Sequence, residues 1–143
     1  MASVGTYLNF NGNTEEVFNF YKSVFGGEFV VLQRFKDAPQ MGPVSEADMD
    51  KVMHVSMPIA GGHMLMGSDM LESMGHKHIA GNNFSISLNA DSEAEADELF
   101  NGLSVDGNVT MALQKTFWGA YFGMWTDKFG IQWMINYDYP KPE

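Results

Sequence analysis

The sequence contains no cysteine, and this absence excludes disulfide bonds, thiolate metal ligands and cysteine nucleophiles together. Basic residues are also scarce, because 8 Lys and Arg stand against 18 Asp and Glu, for a net charge of −10. The sequence has no run of Lys or Arg that would attract a phosphate backbone or an anionic lipid surface. Neither nucleic acid nor membrane is therefore expected as a partner.

Long apolar runs are missing as well. No stretch of about 18 apolar residues occurs that would span a bilayer. The first residues also lack the basic segment and the long apolar stretch of a signal peptide. We therefore expect a soluble, cytoplasmic protein.

Apolar and aromatic residues, by contrast, are plentiful. Hydrophobic residues make up 45% of the 143 positions, and they include 11 Phe, 5 Tyr and 3 Trp. A chain of this length and composition can bury a substantial core. We expect a single domain over residues 1–143.

The most informative pattern is an internal repeat. When the N-terminal part is shifted by 80 positions, five residues fall on identical ones, and further along the chain the shift falls to 68. The change predicts an insertion in the first copy, between residues 37 and 50. The matched pairs are Leu8 and Leu88, Asn9 and Asn89, Glu15 and Glu95, Phe20 and Phe100, Gly27 and Gly107, then Gly62 and Gly130, and Met66 and Met134.

Each copy predicts the same β-α-β-β-β order. Asn13 with Glu16, and Ser92 with Glu95, have the spacing of a capping box at the start of a helix. Apolar residues then recur at helical spacing. Gly61-Gly62 predicts the two-residue turn of a hairpin in the first copy. The predicted strands are 6–10, 28–35, 52–60 and 63–68 in the first copy, and 84–90, 109–114, 118–126 and 131–137 in the second.

The repeat predicts an α+β fold. Module one covers residues 1–69, a linker covers 70–83, and module two covers 84–139. A four-stranded sheet with one helix leaves a whole face bare, so two modules or two chains must bring such faces together. We therefore expect curved mixed sheets around a shared concavity, which is the expected ligand site, and a homodimer.

Several segments carry a family resemblance. The stretches YLNFNGNTEEVFNFYKSVFGGE, GGHMLMGSD and TFWGAYFGMWTDKFGIQWMIN resemble the PhnB-like branch of the vicinal oxygen chelate superfamily, which includes glyoxalase I, bleomycin-resistance proteins and extradiol dioxygenases. The resemblance implies paired β-α-β-β-β modules, usually in homodimers. Some relatives are labelled demethylubiquinone methyltransferases, but the sequence has no glycine-rich turn between strand and helix for a methyl-donor nucleotide.

The resemblance also implies where a metal would bind. Metal-dependent relatives use His, Glu or Gln at positions that fall at or near Tyr7, Met66, Ser85 and Met134 here, with Ser87 as the alternative that the internal repeat gives for Ser85. Phenol, thioether and hydroxyl groups suit a divalent ion poorly. We therefore expect no metal and no other cofactor, which also argues against glyoxalase or dioxygenase chemistry.

Two residues are candidates for acid/base chemistry. His54 shares one face of a predicted strand with Ser56, and Asp69 follows the partner strand. They would serve as the catalytic groups of a lyase or isomerase, whereas the alternative for His54 is an interior, hydrogen-bonded histidine. His76 and His78 could hold a stray metal ion or could be solvated loop residues.

The aromatic residues of the second module are candidates for ligand contacts. Trp118, Tyr121 and Trp133 could wall a pocket for an apolar, planar ligand, or could belong to the core or a dimer interface. With Tyr7 and Ser85 they form the predicted ligand-binding set. The sequence thus favours a metal-independent protein that binds an unidentified small molecule. The alternatives are a lyase or isomerase, a metal-dependent glyoxalase- or dioxygenase-like enzyme, and a scaffold.

Overall fold

The computed structural model describes residues 2–38 and 44–141 of the chain. The chain divides into two units, Met1–Ile79 and Ala80–Glu143. The division falls inside the segment 70–83 that separates the predicted modules. Residues 39–43, in the predicted insertion, lie outside the described part.

The first unit has the order predicted from the repeat. Strand β1 (Thr6–Phe10) is followed by helix α1 (Thr14–Phe25) and by strands β2 (Val31–Arg34), β3 (Val52–Pro58) and β4 (Met64–Asp69). The sheet order is β1-β4-β3-β2, with β1 parallel to β4 and the other pairs antiparallel. Short 3-10 turns at Phe35–Asp37, Glu46–Asp48, Ala60–Gly62 and Glu72–Met74 connect the strands.

Helix α1 covers one face of this sheet. Val17, Phe18 and Tyr21 are fully buried on its inner side. Gly67 of β4 permits the close approach, because a Cβ atom there would lie 2.7 Å from Cε1 of Phe18. Because side chains alternate between the two faces along a strand, the residues that share a face with Gly67 belong to the core.

The second unit repeats this plan. Strand β5 (Ile86–Asn89), helix α2 (Glu93–Leu103) and strands β6 (Asn108–Lys115), β7 (Ala120–Thr126) and β8 (Gln132–Asp138) form a sheet of order β5-β8-β7-β6. The core beneath α2 contains Trp125 stacked on Trp133, with ring centroids 6.4 Å apart, and Phe100 edge-on to Trp125. The predicted β-α-β-β-β repeat and the α+β class are confirmed.

The two predicted capping boxes have different outcomes. Ser92 accepts a hydrogen bond from the Glu95 amide at 3.1 Å, as predicted. The Asn13 side chain makes no capping bond, so the prediction for Asn13 and Glu16 was wrong. The buried Thr14 amide at the start of α1 is instead satisfied by Asp69, from the end of β4.

The strand ends also differ from the predicted ranges. Strand β2 begins at Val31 rather than at residue 28, and it ends at Arg34, after a pairing shift between Gln33 and Arg34 and just before the 3-10 segment. In the described part of the chain, no helix is long and apolar enough to span a membrane.

Candidate functional site

The candidate site of the first unit is the sheet face opposite helix α1. Cross-strand partners share a face, so the register identifies the residues that lie there. One row across the sheet pairs Tyr7 with Met66, Met66 with Ser56, and Ser56 with Val31. Neighbouring positions on this face are Asn9, Gln33, His54, Met64 and Ser68.

Tyr7 and His54 form a pair on this face. The Tyr7 hydroxyl lies 3.2 Å from Nδ1 of His54, and the imidazole tautomer decides which group donates the hydrogen bond. The rings stack with centroids 5.6 Å apart and an angle of 24° between their planes. Tyr7 is 44% exposed and His54 is half-buried, so both are accessible from one side. The pairing orients an imidazole nitrogen and a phenol toward the same surface.

The chemistry of this face is polar but without fixed charge. The strand residues on it carry hydroxyl, amide, imidazole and thioether groups, and none is Lys, Arg, Asp or Glu. Ser56 is only 6% exposed, so its hydroxyl lies near the floor of the face. Such a surface can orient a ligand through hydrogen bonds and pack its apolar parts against Met66.

Asp69 does not join His54 on this face. It pairs with Phe10, which is buried on the helix side, and is itself 4% exposed. Its carboxylate accepts hydrogen bonds from the amide and hydroxyl of Thr14 at 3.0 and 2.6 Å, and from the Val52 amide at 2.8 Å. The expected pairing of His54 with Asp69 is thus corrected, because Asp69 anchors the start of α1 to the sheet.

The second sheet shows the same register at its open face. Ser87 pairs with Met134 as Tyr7 pairs with Met66, and Met134 pairs with Met124. Ser85 precedes the first residue of β5, so Ser87 is the residue that corresponds to Tyr7. The structure thereby selects the alternative that the internal repeat gave.

The three aromatic candidates of the second unit lie in different environments. Trp133 is completely buried, and its indole N–H donates to Asp127 at 2.9 Å. The Tyr121 hydroxyl donates to Asp97 of α2 at 2.6 Å, which places this side chain on the helix-covered side. Both residues are therefore corrected from ligand contacts to parts of the core and its edge. Trp118 is 55% exposed in the turn between β6 and β7.

The positions at which the resemblance implies metal ligands carry phenol, thioether and hydroxyl groups. Tyr7 and Met66 stand in the first unit, and Ser87 and Met134 in the second, where imidazole or carboxylate would be needed. His76 accepts a hydrogen bond from the Leu71 amide at 3.1 Å and so closes its own turn. Within residues 2–38 and 44–141, no group of three or more His, Asp or Glu is arranged to hold a metal.

Strong electrostatic perturbations lie away from the open face of the first sheet. The hydrogen bond to Asp97 raises the pKa of Tyr121 to about 12. Burial and the hydrogen bond to Glu93 raise the pKa of Tyr139 to about 12. Hydrogen bonds from Lys51, Ser73 and Ser45 lower the pKa of Asp48 to about 2. These groups stabilise loops and helix contacts.

Comparisons with known proteins agree with this architecture. The sequence profile of a family described as 3-demethylubiquinone-9 3-methyltransferase matches residues 2–136. Protein YjdN from Escherichia coli strain K12 is 33% identical over 138 residues, with 91% of each chain covered. The crystal structure of protein PA1353 from Pseudomonas aeruginosa is 40% identical, with a TM-score of 0.85 over 96% of this chain and 98% of that one.

Three further solved structures extend the likeness. A Bacillus cereus structure described as a putative 3-demethylubiquinone-9 3-methyltransferase, PhnB protein, is 28% identical, with a TM-score of 0.75 over 95% of this chain and 99% of that one. Two glyoxalase/bleomycin resistance/dioxygenase proteins, at 15% and 12% identity, share the fold with TM-scores of 0.59 and 0.67. The chain therefore belongs to the family described as 3-demethylubiquinone-9 3-methyltransferase, and it shares its fold with glyoxalase/bleomycin resistance/dioxygenase proteins.

Proposed function

We propose that this protein binds a partly aromatic or apolar small molecule without a metal ion, at the open sheet face that carries Tyr7 and His54. The observation that carries the proposal is this hydrogen-bonded, stacked pair on an accessible surface with no fixed charge. Hydrogen-bonding groups at such a face give a ligand its orientation, and the neighbouring thioethers adapt to its shape. The repeat predicts that the second module also contributes to the ligand site, and this stays a prediction.

Metal independence is proposed from donor chemistry. A Lewis-acid mechanism of the glyoxalase or dioxygenase kind needs ligands that hold the ion and leave a position for substrate. The phenol, hydroxyl and thioether groups at Tyr7, Ser87, Met66 and Met134 are weak ligands for the ions those enzymes use. We therefore assign no step to a metal.

Methyl transfer is also not part of the proposal. The connection from β1 to α1 is Asn11-Gly12-Asn13, with a single glycine, and the connection from β5 to α2 has none. A nucleotide cofactor in a doubly wound fold uses a glycine-rich turn at that place and a parallel sheet. Both sheets of this protein are mixed and four-stranded.

The competing function is that of a lyase or isomerase in which His54 transfers a proton. The contact between the Tyr7 hydroxyl and Nδ1 of His54 favours it, because a phenol bonded to one ring nitrogen orients the imidazole and leaves the other nitrogen for a substrate. The two functions differ in what happens to the ligand: a binding protein returns it unchanged, whereas an enzyme converts it.

The test is a thermal-shift screen against a library of metabolites and antibiotics, followed by calorimetry on each hit. For a compound that binds at the proposed face, Tyr7→Phe should weaken affinity by about three- to tenfold, because one hydrogen bond and the orientation of His54 are lost. His54→Gln should weaken it at least as much. Mass spectrometry of the recovered compound then separates binding from turnover.

His63→Gln is the matched control. His63 is a half-buried histidine of the same hairpin, but its Nε2 lies 2.9 Å from the Thr6 hydroxyl, away from the proposed face. Its replacement should leave affinity unchanged. Protein purified without a histidine tag and dialysed against a chelator should bind equally well. Loss of binding after chelation, with recovery on adding zinc or manganese, would overturn metal independence.

A further inference from the structure

Two exposed aromatic residues stand at the turn between β6 and β7. Phe117 is 98% exposed and Trp118 is 55% exposed. The turn that carries them is tightly built, because the Thr116 amide donates to the Ala120 carbonyl at 2.8 Å and the Ala120 amide donates to the Thr116 hydroxyl at 3.2 Å. Gly119 takes a φ of +87°, which permits the turn. The rings are thus held outward by an ordered hairpin.

These rings form an aromatic corner with Phe122 of β7. Phe117 and Trp118 are perpendicular, at 89°, with centroids 5.0 Å apart. Trp118 and Phe122 are 6.0 Å apart at 65°. In an edge-to-face pair the edge of one ring contacts the face of the other, and the remaining faces of the exposed Phe117 and Trp118 rings stay accessible to solvent. Accessible ring faces attract a cation, and neighbouring rings add to that attraction.

A carboxylate lies on the same sheet face as the aromatic corner. The register pairs Ala120 with Asp138 and Phe122 with Asn136, so Asp138 lies on the same sheet face as the Phe122 ring. The Asn136 side chain donates to Oδ1 of Asp138 at 2.9 Å and holds the carboxylate beside the Phe122 row. Asp138 is exposed.

Lys115, the cationic residue of the β6–β7 hairpin, lies on the opposite sheet face from the aromatic corner. Lys115 pairs with Tyr121, which faces α2, and its Nζ lies 5.6 Å from the centre of the Tyr139 ring. The open face near the aromatic corner therefore has a carboxylate and no lysine from its own hairpin.

We propose that the aromatic corner of Phe117, Trp118 and Phe122, with Asp138, is a binding subsite for a small organic ammonium ion bearing methyl groups. A quaternary or methylated ammonium fits because its low hydration makes contact with ring faces favourable, and the carboxylate supplies the counter-charge. An anion would meet Asp138 and a net charge of −10 without a partner. The subsite is made by residues of the second unit and does not use the Tyr7–His54 face, so it goes beyond the proposed function.

Choline and its neutral isostere, in which carbon replaces the quaternary nitrogen, are the matched probes. We expect choline to shift the NMR resonance of the Trp118 indole and to bind about tenfold more tightly than the isostere. Binding should weaken as salt is raised, because Asp138 is exposed to solvent. Equal affinity for the two probes, or no shift of the Trp118 resonance, would overturn the proposal.

Variants give a second readout. Phe117→Leu should weaken choline binding by about three- to tenfold, and its full exposure makes it safe for the fold. Asp138→Asn should weaken binding severalfold and remove most of the salt dependence. Phe84→Leu is the control, because Phe84 is 55% exposed like Trp118 but precedes β5. The subsite is refuted if Phe84→Leu weakens binding as much as Phe117→Leu. Compounds that bind at the Tyr7–His54 face should be unaffected by these variants, so the two proposals fail separately.

Discussion

Among single residues, Asp69 makes the clearest structural contribution. Its buried carboxylate accepts three hydrogen bonds, from the amide and hydroxyl of Thr14 and from the Val52 amide. In Asp69→Asn, the side-chain NH2 group would face one of these donors. We expect a loss of about 2–4 kcal/mol in the free energy of unfolding, because a buried amide is left without an acceptor. Urea unfolding followed by circular dichroism measures it.

The matched control is Asp91→Asn, at an exposed aspartate before α2. It should change the free energy of unfolding by no more than about 0.5 kcal/mol. If Asp69→Asn keeps full stability and abolishes a reaction instead, Asp69 is a catalytic group after all. That outcome would restore the acid/base assignment made from the sequence.

The face on which a residue lies could be predicted only partly from the sequence. The shifts of 80 and 68 positions correctly align Tyr7 with Ser87 and Met66 with Met134, because the repeat preserves the parallel register. Asp69 was assigned wrongly because its hydrogen-bond partner Thr14 is 55 positions away. Trp133 and Tyr121 were placed with Trp118 because proximity along neighbouring strands does not reveal the side of the sheet.

Among elements, helix α2 is joined to its sheet by two tyrosine hydroxyls. Tyr121 of β7 donates to Asp97, and Tyr139 donates to Glu93. The Tyr121 pKa is raised from 10.0 to about 12, so the hydrogen bond stabilises the folded state fully below pH 10. This contribution is lost as the pH rises through about 12.

The direction of the Tyr121 pKa shift leads to a prediction about stability and pH. Tyr121→Phe should be less stable than the wild type at about pH 8, and the difference should shrink as the pH rises from about 10 toward 12. Chemical unfolding across this range measures it. The variant should also lack the part of the tyrosinate absorbance change that develops near pH 12 in the wild type. A constant stability difference across the alkaline range would show that the hydroxyl contributes by packing alone.

The elements themselves were largely predictable. Apolar spacing and Ser92 with Glu95 predicted α2, and the repeat predicted the strand order of the second half from the first. The start of α1 was predicted correctly, but for the wrong reason, since Asp69 takes the place of the Asn13 cap. The start of β2 was predicted too early, at residue 28 instead of Val31, because the extent of pairing depends on the partner strand rather than on local sequence.

For the whole molecule, the common feature of the two units is a sheet with one helix on one side. Each helix covers one sheet face, and the opposite faces carry Tyr7 and His54 in one unit and Met124, Met134 and Phe122 in the other. A single layer of sheet on helix needs another layer to bury its second face. Two copies of the chain provide such layers, and this is the physical basis for the proposed homodimer.

The dimer should become stronger as salt is added. Each chain carries a net charge of −10, so the approach of two copies costs electrostatic energy. Raising the ionic strength from about 0.01 M to 0.15 M shortens the screening length from roughly 30 Å to 8 Å and lowers that cost. An association held by apolar burial should therefore tighten, whereas one held by ion pairs would weaken. Sedimentation velocity of a dilution series at the two salt concentrations measures the dissociation constant. A monomer at micromolar concentration in both buffers would refute the dimer.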